Sequence, residues 1–123
     1  MSEAILVREI LEQICEAIHK VQRRFKPIDT PDDFLNTDIG LDLLDSICMM
    51  LIAIGESIKK IDKITKGQLL PRYPEIDWKG VMGIRDIISH HYFDIDAEEI
   101  YEICSKEIDP LILTIQKILS ANE

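Results

Sequence analysis

A seven-residue repeat of apolar residues restricts the fold of this 123-residue chain more than any other feature. The repeat alternates spacings of three and four and consists of Leu44, Ile47, Leu51, Ile54, Ile58 and Ile61. Residues at these spacings share one face of an α-helix, so we expect a long helix from about Asp38 to Thr65. Because such a stripe must be covered by other helices, the pattern is typical of the seam of a helical bundle.

Apolar residues three or four positions apart indicate three more helices. The first runs from about Ser2 to Phe25, and the third begins near Asp77, whose carboxylate can cap it. The last runs from about Asp96 to Leu119 and should be kinked at Pro110, which lacks an amide hydrogen. The third helix is expected to turn four residues inward: Val81, Ile84, Ile87 and Ile88. The prediction is one all-α domain, residues 1–123, forming an antiparallel four- to five-helix bundle with a kinked C-terminal helix.

Composition agrees with this fold and bounds the location of the protein. A hydrophobic content of 46% with only 6% aromatic residues favours a helical bundle over a β-sandwich. The longest apolar run, Ile47–Ile54, is far shorter than the roughly 20 residues that cross a bilayer, so we expect a soluble protein without a membrane partner. The start of the chain has no basic segment of a secretory signal. Cys15, Cys48 and Cys104 each follow an isoleucine, which favours buried thiols in a reducing compartment and predicts a cytoplasmic location.

Charge is spread unevenly along the chain. The net charge of −9 disfavours nucleic-acid binding by the surface as a whole, because phosphates are repelled. Basic residues concentrate in segments 20–26 and 59–72, however, whereas segment 94–109 holds seven acids and one lysine. Two interpretations stay open: a basic end and an acidic end of the molecule, or a preference for cations near helix C-termini.

A metal site has little support in the sequence. Glu16 and His19 match half of a di-iron motif, but no second copy follows. Cys15 with His19 is explained as well by a buried thiol beside an exposed imidazole. We therefore expect no metal and no cofactor.

Two features of the second helix predict contacts rather than chemistry. Gly55 stands inside that helix, where glycine costs about 1 kcal/mol relative to alanine, so close approach of another helix is expected. Met49 and Met50 are interpreted as core or interface residues.

One short segment brings together a permanent cation, an imidazole and a phenol: Arg85, His90 and Tyr92. The guanidinium can hold a phosphate, and the imidazole can move a proton near neutral pH. At about 100° per residue, Arg85 shares a helix face with Tyr92, whereas Arg85 and His90 lie about 140° apart and converge only near a helix end. Asp86, one turn before His90, could fix the tautomer of the imidazole. The alternative is structural: Arg85 pairs with Asp86 or Glu56, and His90 is a polar residue at a helix end.

These residues also carry a resemblance to a known family. Arg85, His90 and Tyr92 fill the pattern Arg-x-x-x-x-His-x-Tyr without a gap. Supporting segments follow in order along the chain: Asp32–Leu35, Ile54–Glu56, Ile76–Trp78, Gly83–Asp86 and Tyr92–Asp96. On these segments the chain resembles the HepT-like toxins of the HEPN superfamily, small all-helical proteins of bacteria and archaea.

The resemblance implies the toxin component of a toxin–antitoxin system. Such a toxin is a metal-independent endoribonuclease that acts as a homodimer, with the two motifs meeting at the two-fold axis. Arg85 and His90 would be catalytic: His90 as base on the ribose 2′-hydroxyl or acid to the leaving oxygen, and Arg85 stabilising the phosphorane. The resemblance also implies a minimal nucleotidyltransferase antitoxin that silences the toxin by adding adenylate to Tyr92.

Two positions depart from the family pattern. Asp86 stands where Asn is frequent, and a carboxylate there repels an RNA substrate unless Arg85 neutralises it. Asp77 precedes Trp78 where relatives often have proline, which alters only the helix cap. A second hypothesis stays open: a non-catalytic helical protein that binds a nucleotidyltransferase or a nucleotide, which the acidic charge and Asp86 favour.

Overall fold

The computed structural model describes residues 2–90 and 93–121, and of His90 the main chain alone. In these ranges the helices are α1 (Glu3–Phe25), α2 (Asp38–Ile64), α3 (Trp78–His90), α4 (Ala97–Glu102) and α5 (Ile108–Ala121). Two 3-10 turns, Pro31–Phe34 and Leu70–Arg72, lie in loops, and a π-helical turn, Ile103–Glu107, joins α4 to α5. No strand occurs in the described ranges, so the all-α prediction is confirmed. No helix in the same ranges is long and apolar enough to cross a membrane.

Side-chain caps fix where the helices begin. The Ser2 hydroxyl accepts a hydrogen bond from the Ile5 amide at the start of α1, and the Thr37 hydroxyl accepts one from Gly40 at the start of α2. The Asp77 carboxylate accepts from the Gly80 amide, and Asp96 caps α4 by accepting from two amides. These bonds satisfy amides that have no partner within their own helix. The predicted starts of the helices are therefore confirmed to within a residue or two.

The predicted seam of α2 forms the centre of the core. All six residues of the repeat are at most 4% exposed. Complete burial of one such side chain contributes about 1.5–3 kcal/mol, so this stripe is a major source of stability. The first helix packs antiparallel on α2, because Arg24 near its end donates to the Ser46 carbonyl, whereas Val7 near its start borders Ile64.

Gly55 marks the closest approach of α2 and α3. A Cβ atom added at Gly55 would lie 2.7 Å from the main-chain oxygen of Val81, which is too close for any real side chain. The prediction that another helix approaches this glycine is confirmed. The contact fixes both the distance between the two helices and the rotation of α3.

The rotation of α3 differs in one respect from the sequence prediction. Ile84 and Ile88 are buried, and Val81 is half-buried, as expected. The prediction for Ile87 is wrong, since this side chain is 39% exposed. With Val81 held against Gly55, the position of Ile87 lies at the edge of the buried face, where no element covers it completely.

The C-terminal helix is interrupted rather than simply bent. At the π turn the Ile108 amide donates to the Ile103 carbonyl, one residue further back than in an α-helix. Pro110 lies three residues after the end of this turn and has no amide hydrogen to donate to Lys106. The predicted kink is confirmed, but it consists of two helices joined by a π turn instead of one helix from Asp96 to Leu119.

The close contact at Gly55 predicts opposite effects of one substitution at two glycines. Gly55→Ala should lower the free energy of unfolding by about 1–3 kcal/mol, because overpacking against main chain outweighs the gain in helix propensity. Gly83→Ala in α3 should raise it by about 0.5–1 kcal/mol, since a Cβ atom there meets nothing within 4 Å. Urea unfolding of both variants measures the difference, and equal stabilities would contradict the proposed packing.

Candidate functional site

The guanidinium of Arg85 lies on the exposed side of the junction between α2 and α3. Its Nη1 donates to Oε1 of Glu56 at 3.0 Å, and the two side chains are 56% and 41% exposed. Glu56 follows Gly55, so the close helix contact is what brings this carboxylate within reach of Arg85. Of the partners left open by the sequence, Glu56 rather than Asp86 therefore holds the arginine. Exposed pairs of this kind contribute about 0.2–1 kcal/mol, so the pair orients Arg85 more than it stabilises the fold.

The other predicted site residues are placed less completely. Asp86 is exposed and follows Arg85 on α3. The main chain is helical through His90, so the positions of Arg85 and His90 stay about 140° apart around the helix axis. Tyr92 lies outside the described residues, as does His91. The catalytic roles of Arg85 and His90, the supporting role of Asp86 and the modification of Tyr92 remain predictions.

The thiols offer no competing nucleophile. Burial raises the pKa of Cys48 to about 11, with a smaller contribution from the charge of Asp45. Burial also raises the pKa of Cys104 to about 12, with a smaller contribution from the Cys48 thiol. The pKa of Cys15 is raised as well, first by burial and then by the charge of Glu12. All three thiols are therefore protonated near neutral pH and are poor nucleophiles.

The half-motif of a di-iron site does not come together with other ligands. The Nδ1 atom of His19 lies 3.2 Å from Oε1 of Gln22 and forms a hydrogen bond with it. Within residues 2–90 and 93–121, no three His, Cys, Asp or Glu side chains are grouped as a metal site requires.

Two features near the motif were missed from the sequence. One is the outward face of α2, where charged and apolar residues also recur three and four apart beside the buried repeat. The other is a groove between α3 and the π turn, and Ile87 is one of the residues that line it. The excess of acids in segment 94–109 was the sequence feature that could have indicated this groove. Periodicity alone, however, does not show which helix packs opposite those acids.

Residues 14–118 match the family described as Ribonuclease HepT-like. This span includes α2, α3, α4 and α5 as far as Ile118, with Arg85 and His90 inside it. The chain therefore belongs to the HepT-like ribonuclease family, which confirms the resemblance drawn from the motif.

Individual relatives carry similar names. A protein of Caldanaerobacter subterraneus named "Putative RNase" is 29% identical over 112 residues, which are 91% of this chain and 93% of that protein. A protein of Methanocaldococcus jannaschii named "Gamma-glutamylcyclotransferase and putative RNase" is 30% identical over 113 residues, 92% of this chain and 47% of its own length. Another "Putative RNase" of that organism is 31% identical over 74 residues, 60% of this chain and 58% of its own length. The chain thus spans about half the length of these two archaeal relatives, and no solved structure matches it.

Proposed function

We propose that this chain is the toxin of a toxin–antitoxin pair and acts as a metal-independent endoribonuclease. The observation that carries the proposal is the family match, which spans the helix that presents Arg85. That guanidinium is half exposed and tied to the scaffold by one carboxylate, so it is accessible to a phosphate. The toxin role itself rests on the resemblance of the motif.

The proposed reaction is an internal transfer within RNA. His90 takes the proton of a ribose 2′-hydroxyl, the 2′-oxygen attacks the adjacent phosphorus, and the bond to the 5′-oxygen breaks. A second imidazole gives its proton to that leaving oxygen, and Arg85 stabilises the charge on the phosphorane oxygens. The products are a 2′,3′-cyclic phosphate and a 5′-hydroxyl. No water and no metal ion enters this step.

A second copy of the chain would supply the second imidazole. Within one copy, Arg85 and His90 start from positions about 140° apart on α3, which favours a site shared between two copies. The outward face of α2 supports such a homodimer. Its residues recur three and four apart and are Asp42, Asp45, Met49, Ile52, Glu56, Lys60 and Lys63.

The charge order along this face is self-complementary. Two exposed acids come first, then Met49 at 67% exposure with the half-buried Ile52, and two exposed lysines come last. If two faces pack antiparallel about an axis beside Ile52, Asp42 of one copy meets Lys63 of the other, and Asp45 meets Lys60. Glu56, which holds Arg85, then lies about 5 Å along the helix from the axis. Both copies of Arg85 would thus border one shared site.

Removal of either proposed catalytic group should strongly slow RNA cleavage. Arg85→Ala and His90→Ala should each slow cleavage by about 10²–10³-fold, because charge stabilisation or proton transfer is lost. Lys79→Ala, which removes another exposed cation of α3, should leave cleavage unchanged. Gel assays with end-group analysis measure the rate and the cyclic phosphate, and a chelator should have no effect. A folded His90→Ala protein that cleaves like the parent would overturn the mechanism.

Silencing is assigned to Tyr92. Incubation with a minimal nucleotidyltransferase and ATP should add the mass of one adenylate to the parent chain and to Tyr101→Phe, but none to Tyr92→Phe. The modified protein should lose RNA cleavage, because the adenylate occupies the motif with a fixed negative charge. Intact mass and peptide mapping provide the measurement, and adenylate on any other residue contradicts the assignment.

The dimer face is tested by reversing its charges. Asp42→Lys with Asp45→Lys should raise the dimer Kd at least about tenfold, because like charges then face each other. Adding Lys60→Asp and Lys63→Asp to the same chain should restore the parent Kd. Charge reversal of Lys20 and Arg23 on α1 serves as the control. It removes the same number of cations as the changes at Lys60 and Lys63, but outside the proposed dimer face. Sedimentation measures association, and a fourfold variant that stays monomeric would refute this interface.

A second function is favoured by the distribution of negative charge. The net charge of −9 and the exposed Asp86 next to Arg85 disfavour RNA and suit a non-catalytic helical protein that binds a nucleotidyltransferase or a nucleotide. Nucleotidyltransferase binding without RNA cleavage, measured at salt concentrations that permit RNA association, would select this alternative.

A further inference from the structure

An open groove runs between α3 and the C-terminal helices, away from the side of α3 that contacts α2. Its cavity volume is about 460 Å³. Apolar residues from both walls line it, and the main ones are Val81, Ile84, Ile87, Ile103, Ile108 and Leu111. Ile87, at 39% exposure, is the most accessible apolar side chain among them. Ile87 and the half-buried Val81 are the accessible part of this lining, whereas the other four are at most 9% exposed.

The π turn and Pro110 border this groove. Ile103, Lys106 and Glu107 of the turn all border it, together with Pro110. The turn widens the helix at this point, and Pro110 lies in the first turn of α5 and has no amide hydrogen to donate. π turns inside α-helices occur frequently at functional sites.

The rim of the groove is acidic. Five carboxylates border it: Glu75, Asp77, Glu99, Glu102 and Glu107. Lysines of the same chain neutralise two of them, since Lys117 lies 3.1 Å from Glu75 and Lys106 lies 2.8 Å from Glu102. Across the parts of the chain that the structure describes, the remaining three form no ion pair.

Together with burial, the neighbouring acids contribute to a raised pKa of Glu107. Its pKa is raised, first by burial and then by the negative charges of Asp77, Glu102 and Glu99. A cation placed in the groove would relieve this repulsion. Glu99 and Glu107 lie eight residues apart along α4 and the π turn, about 12 Å at the rise of an α-helix, and no three of the described acids are grouped to hold a metal ion.

We propose that this groove binds a basic amphipathic helix of a partner protein. The apolar side of such a helix would cover Ile87 and its neighbours, and its Lys or Arg side chains would pair with Glu99, Glu107 and Asp77. Two cations on one helix would pair with both Glu99 and Glu107, which a single metal ion does not. Because Ile87 lies three residues before His90, the partner would contact the motif helix directly. The proposal does not depend on ribonuclease activity.

The test uses a peptide about four helical turns long, made only of leucine and lysine in helical order. We expect it to bind the full chain, and we expect the same peptide with glutamate in place of lysine not to bind. Glu99→Gln with Glu107→Gln should weaken binding about fivefold or more, as expected for the loss of two ion pairs.

Two matched variants separate a groove from general attraction to an acidic protein. Glu9→Gln with Glu16→Gln removes two exposed acids of α1 and should leave the affinity unchanged. Ile87→Glu adds a negative charge, so general attraction predicts tighter binding, whereas loss of the apolar contact predicts weaker binding. Circular dichroism confirms that each variant is folded. Equal loss in the α1 and groove variants, tighter binding by Ile87→Glu, or no binding to the parent chain would each overturn the proposal.

Discussion

The contact between Gly55 and the main chain of Val81 determines most of what surrounds the motif. A glycine in the middle of α2 costs helix stability, but it lets α3 approach until a main-chain oxygen lies where a side chain would be. The next residue, Glu56, is thereby placed beside Arg85. The same contact rotates α3 so that Ile84 and Ile88 are buried while Ile87 stays partly exposed. The lack of a Cβ atom at Gly55 thus affects both the position of Arg85 and the exposure of Ile87 in the groove.

Much of this architecture could be predicted from residue order because short-range rules govern it. The spacing of apolar residues predicted the helices, and the capping residues Asp77 and Asp96 predicted where two of them begin. The cost of a glycine inside a helix predicted the close approach at Gly55. Tertiary packing decided the rest. Whether Arg85 pairs with Asp86 or Glu56 depends on the rotation of α3, and so does the exposure of Ile87. Proline predicts a break in a helix, but not whether the chain bends or inserts a π turn.

Local charge matters more here than net charge. The chain as a whole is acidic, yet α2 carries its acids on the first part of its outward face and its lysines on the last part. Between them lie apolar residues and the carboxylate that holds Arg85. On the other side of α3 the acids of the groove collect around an apolar lining. The motif helix therefore stands between a surface of mixed charge and one with an excess of acids.

The π turn also has a consequence for how the bundle is assembled. One extra residue in a helical turn rotates everything after it by about 100° relative to a regular helix. The π turn thus changes which face of the helix is buried before and after it. In α4 the Tyr101 hydroxyl donates to the Asp29 carbonyl, and in α5 Ile115 packs in the core. Residues of the π turn do not have to follow the three- and four-residue spacing of buried side chains that holds in the rest of the helix. Lys106 and Glu107 occupy that position, so this segment can change its surface chemistry without changing the register of the core.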